Sequence, residues 1–391
     1  MRLVRISFAT LAAMLLVPAP AFAQAEKPVA DVSAADIADA ARSATIANPS
    51  FDNWSALGGI LSRGGNHAIA LQAYLRAAAL DPTSAQGQNA IAIEYFFLKD
   101  SVKELEYYAK ALQLDPQFID ALTNRASTYF DQEKWSLAEN DYRAVISIAP
   151  QRAVLYVSLA DVLDKAGDKK AALTEYLRAT KIDGKSGLAW RALGRFQLTQ
   201  ERYKPALNAY GNAINVNGED DGAFAGRAAV YVGLSNNDAA KRDYEMAIKL
   251  KPDSASHRNV YGAFLHDIEN YDEAIAQLDE AIKLDSGYGD AFYNRGLAHK
   301  ESDHHSKALT DFNALLKIAP EDSYGYMQKA DVYRRMEDHL LAVEYLDYAL
   351  KLNPELGYAY KLRSLSRKEI GDATGASADE TEAKKRGLTF E

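Results

Sequence analysis

Three groups of residues have types and spacings that could do chemistry. His299, His304 and His305 crowd together in a chain of seven histidines, and imidazole is a common ligand of transition metals. Arg191 and Arg195 are four apart, so on a helix they project from one face, and the guanidinium fork suits a carboxylate. Gly287-Tyr288-Gly289 opens a glycine-rich pattern of the kind that lets backbone N–H groups approach a phosphate. This third group fails at once. Phe292 stands where a dinucleotide fingerprint needs its third glycine, and the segment follows the end of an amphipathic helix, Glu280 to Leu284, where the fingerprint needs a strand.

Composition narrows what these groups could serve. The chain has 391 residues, 48% hydrophobic and 25% charged, with a formal charge of −9 and no cysteine. Disulfides, cysteine–zinc sites, a thiol nucleophile and a lipid on an N-terminal cysteine are all excluded. Arg2 and Arg5 precede an apolar run from Ile6 to Val17, followed by Ala21-Phe22-Ala23 as a small-x-small cleavage site. This is the pattern of a secretory signal peptide, residues 1–23, and the run is shorter than the roughly 20 residues a spanning helix needs. Cleavage removes the two arginines and takes the charge from −9 to −11. An acidic surface opposes general binding to nucleic acid, which needs a basic footprint. No later stretch is apolar enough for stable membrane insertion, so a bacterial periplasm is the expected location.

The positioning elements emerge from a repeat. Pro82, Pro116, Pro150, Gly184, Gly218, Pro252, Ser286, Pro320 and Pro354 follow one another at intervals of 34 residues. Proline or glycine at that place stops a helix and lets the chain reverse. Ser286 and Gly287 therefore belong to an inter-helix turn. A column of small residues runs Gly58, Ala92, Ala126, Ala160, Gly194, Ala228, Gly262, Gly296, Ala330 and Ser364. A second is alanine from Ala70 to Ala376 except for Glu104, which reads as either a distorted hairpin or a local salt bridge. Bulky residues from Tyr74 to Leu346 lie on the same helical face and fill the space the small residues leave. Each unit reads as a helical hairpin that buries its apolar face by stacking on its neighbours.

This constellation resembles the tetratricopeptide repeat, with Trp54, Leu57, Gly58, Ala70, Tyr74, Ala77 and Pro82 in the family's pattern and Phe292, Gly296, Ala308, Phe312 and Pro320 repeating it. The resemblance implies an all-α fold, a right-handed α-solenoid of stacked helical hairpins. Ten frames fill residues 51–390, the last acting as a cap, with a leader and N-terminal capping helix over residues 24–50.

Against that frame the chemistry recedes. His67, His305 and His339 share a column with Trp135, Tyr203 and Tyr271, a place that prefers a flat packed ring to a metal ligand. The repeats leave no segment for a catalytic domain, so neither enzyme activity nor a cofactor nor a metal is expected. What the resemblance implies is a groove lined by the first helix of each hairpin that holds a protein or extended peptide. Carried onto this sequence, the groove residues are Asn89, Thr123, Asn124, Ser127, Arg191, Arg195, Asn259, Tyr293, Asn294, Met327 and Lys361. Asn124, Asn294 and Lys361 echo the family's clamp for a terminal carboxylate, but no three consecutive hairpins supply the full set. Arg191 and Arg195 either receive a partner's carboxylate or are neutralised by Asp161 and Asp164 of the preceding repeat. The expected function is a periplasmic scaffold or adaptor in envelope assembly, secretion or division. The alternatives are a scaffold for exported polysaccharide, using Tyr293, Tyr324 and Tyr358 to stack on sugars, and a glycan-modifying enzyme.

Overall fold

The computed structural model describes Ala41 and residues 49–389. The expected signal peptide lies outside the described residues, as does the expected leader and capping helix, apart from Ala41 and residues 49–50. Ala41 is helical and packs on a cluster of Leu57, Leu61, Ala70 and Ala73.

The described chain is an all-α solenoid of stacked helical hairpins, and its contacts divide it into two compact units. The first runs to Gln197 and holds α1 (Phe51–Arg63), α2 (His67–Leu80), α3 (Ala85–Phe97), α4 (Ser101–Leu114), α5 (Ile119–Asp131), α6 (Trp135–Ile148), α7 (Ala153–Lys165), α8 (Lys169–Ile182) and α9 (Gly187–Thr199) up to its last two residues. The second begins at Leu198, and Asn215–Asn217 cluster with the first unit. It holds α10 (Tyr203–Val216), α11 (Asp221–Gly233), α12 (Asn237–Leu250), α13 (Ala255–Asp267), α14 (Tyr271–Leu284), α15 (Gly289–Glu301), α16 (His305–Ile318), α17 (Ser323–Arg335), α18 (His339–Leu352), α19 (Gly357–Glu369) and α20 (Ala373–Lys385). The odd-numbered helices open the hairpins, and their starts are 34 residues apart from Phe51 to Gly357.

Local chemistry sets these ends. Ser50, Ser84 and Ser254 each accept a hydrogen bond from a backbone N–H three residues on, capping α1, α3 and α13. Asp100, Asp168 and Asp338 do the same for α4, α8 and α18. The bend inside each hairpin turns through a left-handed residue. Gly65, Gly167 and Gly371 occupy it, but so do Lys99, Glu133, Glu201, Ser235, Glu269, Asp303 and Glu337, at a cost glycine does not have. The following N–H reaches back to the first helix, as from Asp100 to Tyr95 at 3.0 Å, closing a Schellman-type cap.

Packing explains the small columns. A Cβ built on Gly58 would lie 2.8 Å from the Tyr74 ring, and one on Gly296 would lie 2.8 Å from Phe312. Large aromatic rings thus touch helix backbone directly. Ala138, Ala172, Ala206, Ala240, Ala274, Ala308 and Ala342 are wholly buried. Glu104 leaves α4 regular, and its buried carboxylate accepts from the Thr128 hydroxyl. Burial pushes the Glu104 carboxyl up from its ordinary value. The Gly287 turn between α14 and α15 is closed locally, its N–H donating to the Asp285 carboxylate at 2.9 Å.

Candidate partner-binding faces

The first helices carry the expected groove residues, and the structure sorts them into three kinds. Asn124, Asn259, Asn294 and Met327 are buried. This corrects the expectation that the whole set lines an open surface, because neighbouring hairpins pack over these places. Asn259 and Asn294 are brought together: the Asn294 amide donates to Asn259 Oδ1 at 2.9 Å, and the Asn259 amide donates to the Tyr288 hydroxyl at 3.3 Å. Tyr293 is half-buried, edge-on to Phe312. Thr123 turns its hydroxyl onto the Ile119 carbonyl at 2.8 Å, and Lys361 donates to the Thr389 carbonyl at 3.0 Å. Ser127 and Arg191 are half-buried.

Arg195 settles half of the arginine question. Its guanidinium meets Asp161 at 2.6 Å across adjacent repeats, and Asp161 also accepts from the Tyr176 hydroxyl at 2.6 Å. Asp164 pairs instead with Lys169 at 2.7 Å. Neutralisation by the preceding repeat therefore operates through Asp161.

The last of the three groups is Asn89. It is 7% exposed, lines an open cleft between α3 and α5, and its Oδ1 has no hydrogen-bond partner. A buried carboxamide oxygen without a partner costs free energy, so it marks a place to look for a ligand.

Two polar systems escaped the sequence reading. In four hairpins an arginine of the first helix grips an aspartate 16 residues later through two nitrogens: Arg125 with Asp141, Arg227 with Asp243, Arg295 with Asp311 and Arg363 with Asp379. The signal was present as a paired column, since Leu159 and Leu193 face Glu175 and Ala209 where no such pair forms. The second system lies between α15 and α17. Lys300 is 7% exposed and donates to Gln328 at 2.7 Å and Asp331 at 3.0 Å, while Arg334 meets Asp331 at 2.8 Å and Arg335 meets Glu301 at 2.8 Å. Burial works to raise the Asp331 carboxyl, but the Lys300 and Arg334 charges outweigh it and hold the group below its ordinary value.

The histidines do not converge. His67 stacks on Phe97 at 4.1 Å and contacts Glu94 at 2.9 Å; His299 meets His304 edge to face, and burial pushes the His299 imidazole down. Among the described residues no group of three His, Asp or Glu side chains could hold a metal ion, and no helix is long and apolar enough to cross a membrane.

This architecture defines a helical-repeat solenoid. Family models for the tetratricopeptide repeat match residues 123–187, 157–221, 289–322 and 324–356, and a further TPR-repeat model matches 262–303. The chain is a tetratricopeptide-repeat protein. It is 25% identical over 224 residues to the Hsp70-Hsp90 organizing protein 1 of Glycine max, which covers 48% of this chain and only 39% of that protein. Similar folds are seen in yeast Tom70 (TM-score 0.51, 13% identity, 90% of this chain and 93% of that one) and in a tetratricopeptide repeat protein from Parabacteroides merdae (TM-score 0.51, 19% identity, 61% and 94%).

Proposed function

We propose that this chain is a non-enzymatic scaffold or adaptor of the bacterial periplasm that binds a partner protein or extended peptide on its first-helix faces, in envelope assembly, secretion or division. One observation carries the reading. The packing columns keep one size class of residue along the stack, whereas the first-helix columns change type from hairpin to hairpin and include Asn89, whose carboxamide oxygen is unsatisfied. Positions whose residue type varies along the stack and which include a polar group without an internal partner suit recognition. The name of the Glycine max relative describes the organising of two chaperones, which supports a role through protein contacts. The location rests on Arg2, Arg5 and the apolar run that follows them.

The test is affinity capture from a periplasmic extract, followed by titration of the purified partner. A stoichiometric protein partner is expected, weakened about tenfold at low salt by Arg191→Ala, a change that leaves the Arg195–Asp161 pair intact. Absence of any protein partner, or binding indifferent to every first-helix substitution, overturns the reading. The polysaccharide alternative has one observation in its favour. Tyr326, Tyr345 and Tyr348 line a cleft of about 420 Å3 together with Glu344, Asp347 and Lys351, and Tyr324, one of the expected stacking residues, is 48% exposed. Tyrosine faces with flanking carboxylates can hold sugar rings, and a glycan array separates the two readings.

A further inference from the structure

The cleft between α3 and α5 combines an apolar wall with polar groups that lack counterparts. It has a volume of about 520 Å3 and is lined by Gln86, Asn89 and Ile93 of α3, Asp115 and Phe118 of the connecting turn, and Asp120 of α5. No basic side chain lines it. Asp115 accepts from the Gln117 N–H at 3.0 Å, a bond that leaves its negative charge uncompensated. Among the described residues neither Asp115 nor Asp120 enters an ion pair. Asn89 is more than nine-tenths buried and its Oδ1 is unsatisfied; a carboxamide can turn over to present either its oxygen or its NH2 to a ligand.

The same frame 170 residues later shows the site in closed form. Asp285, Tyr288, Asp290, Asn259 and Asn294 stand in the columns of Asp115, Phe118, Asp120, Asn89 and Asn124. There the Tyr288 hydroxyl and the Asn294 amide satisfy Asn259. At the earlier site Asn124 stands in the place of Asn294, yet Asn89 Oδ1 has no partner, and Phe118 carries no hydroxyl to accept from the Asn89 NH2.

We propose that the α3–α5 cleft is a subsite for a lysine or arginine side chain of an extended partner segment. The cation is held between Asp115 and Asp120, its alkyl stem lies on Phe118 and Ile93, and the segment's backbone amide pairs with the Asn89 carboxamide. Long basic side chains bury their stems on apolar surface while the charged end stays with acids and water, which is the arrangement this lining offers. The inference rests on the scaffold reading and gives that scaffold's ligand its chemistry.

Short fluorescein-labelled peptides with one alanine–leucine framework, carrying lysine, glutamine or glutamate at the centre, test it by anisotropy. The lysine peptide is expected to bind about tenfold more tightly than the glutamine peptide at about 50 mM salt, with the preference shrinking at higher salt. The double change Asp115→Asn and Asp120→Asn brings lysine down to the level of glutamine. Phe118→Tyr, which supplies the hydroxyl of the closed site, weakens every peptide, while circular dichroism melting shows each variant folded. Equal binding of lysine and glutamine peptides, a preference that survives the asparagine substitutions, or no peptide binding at all overturns the subsite. The scaffold reading fails separately: a captured protein partner weakened by Arg191→Ala, with no lysine preference at the cleft, removes the subsite and leaves the scaffold.

Discussion

Asn89 and Asn259 occupy the same place in the repeat, one in each compact unit, and meet opposite fates. Around Asn259 the neighbouring hairpin supplies a tyrosine hydroxyl and a second asparagine, and the carboxamide is fully buried with partners. Around Asn89 the tyrosine is Phe118, and the carboxamide oxygen is buried without one. At the closed site a second asparagine donates to the carboxamide oxygen and a hydroxyl accepts from its NH2; at Asn89 the oxygen lacks its donor although Asn124 stands in the same column. Whether a first-helix residue holds the stack or faces a partner is decided by its neighbours, since its place in the repeat is the same in both.

The comparison can be broken most forcefully where the second unit is most tightly satisfied. Lys300→Ala removes the buried cation at 3.0 Å from Asp331 and leaves it only the more exposed Arg334 and Arg335, and a loss of about 3 kcal/mol is expected from breaking a buried pair. Urea unfolding followed by hydrogen exchange over residues 289–335 measures it, and a change confined to a few tenths would mean that the network is solvated. Next in size is the asparagine pair itself. Asn259→Ala strands the Asn294 amide and should cost about 2 kcal/mol, whereas Asn89→Ala strands nothing and should cost under about 0.5 kcal/mol. Equal losses for the two would erase the distinction between closed and open sites.

Glu104 sharpens the account within the first unit, on the order of 1 kcal/mol. Its folded pKa is raised by burial, so at neutral pH the native state carries a charge it holds less readily than the unfolded chain does. Relative stability should therefore rise as pH falls through the folded value. Glu104→Gln keeps an acceptor for Thr128 and removes the charge, so it should stabilise the protein at neutral pH by about 1 kcal/mol, with the advantage vanishing in acid. Melting curves across pH read this directly. The smallest effect concerns the hairpin bends: Glu269→Gly relieves a left-handed residue with φ of 65° and should gain about 0.5 kcal/mol, where the same change in a helix interior would destabilise.

The fold was legible because packing repeats. Pro82 through Pro354, the glycine and alanine columns and the aromatic column each recur at one interval, and the structure fills the small positions with the rings they face, as at Gly58 with Tyr74. The face residues were legible only in position. Asn259 and Met327 stand in the column that implies a groove, yet burial is set by partners on other hairpins that a column does not reveal. The correlation of Arg125 with Asp141, repeated three times further on, lay open in the sequence as a fixed spacing. The contrast between Phe118 and Tyr288 gains meaning only when the structure places each ring beside an asparagine of the preceding repeat.

Hydrogen–deuterium exchange of the full chain with and without the captured partner tests the central claim most directly. Binding on the first-helix faces, centred on the open cleft, predicts slowed exchange in α3, in α5 and in the turn through Phe118, with α13 and α15 unchanged. Slowed exchange confined to the second helices of the hairpins, or at the closed Asn259–Asn294 site with none at Asn89, would contradict it.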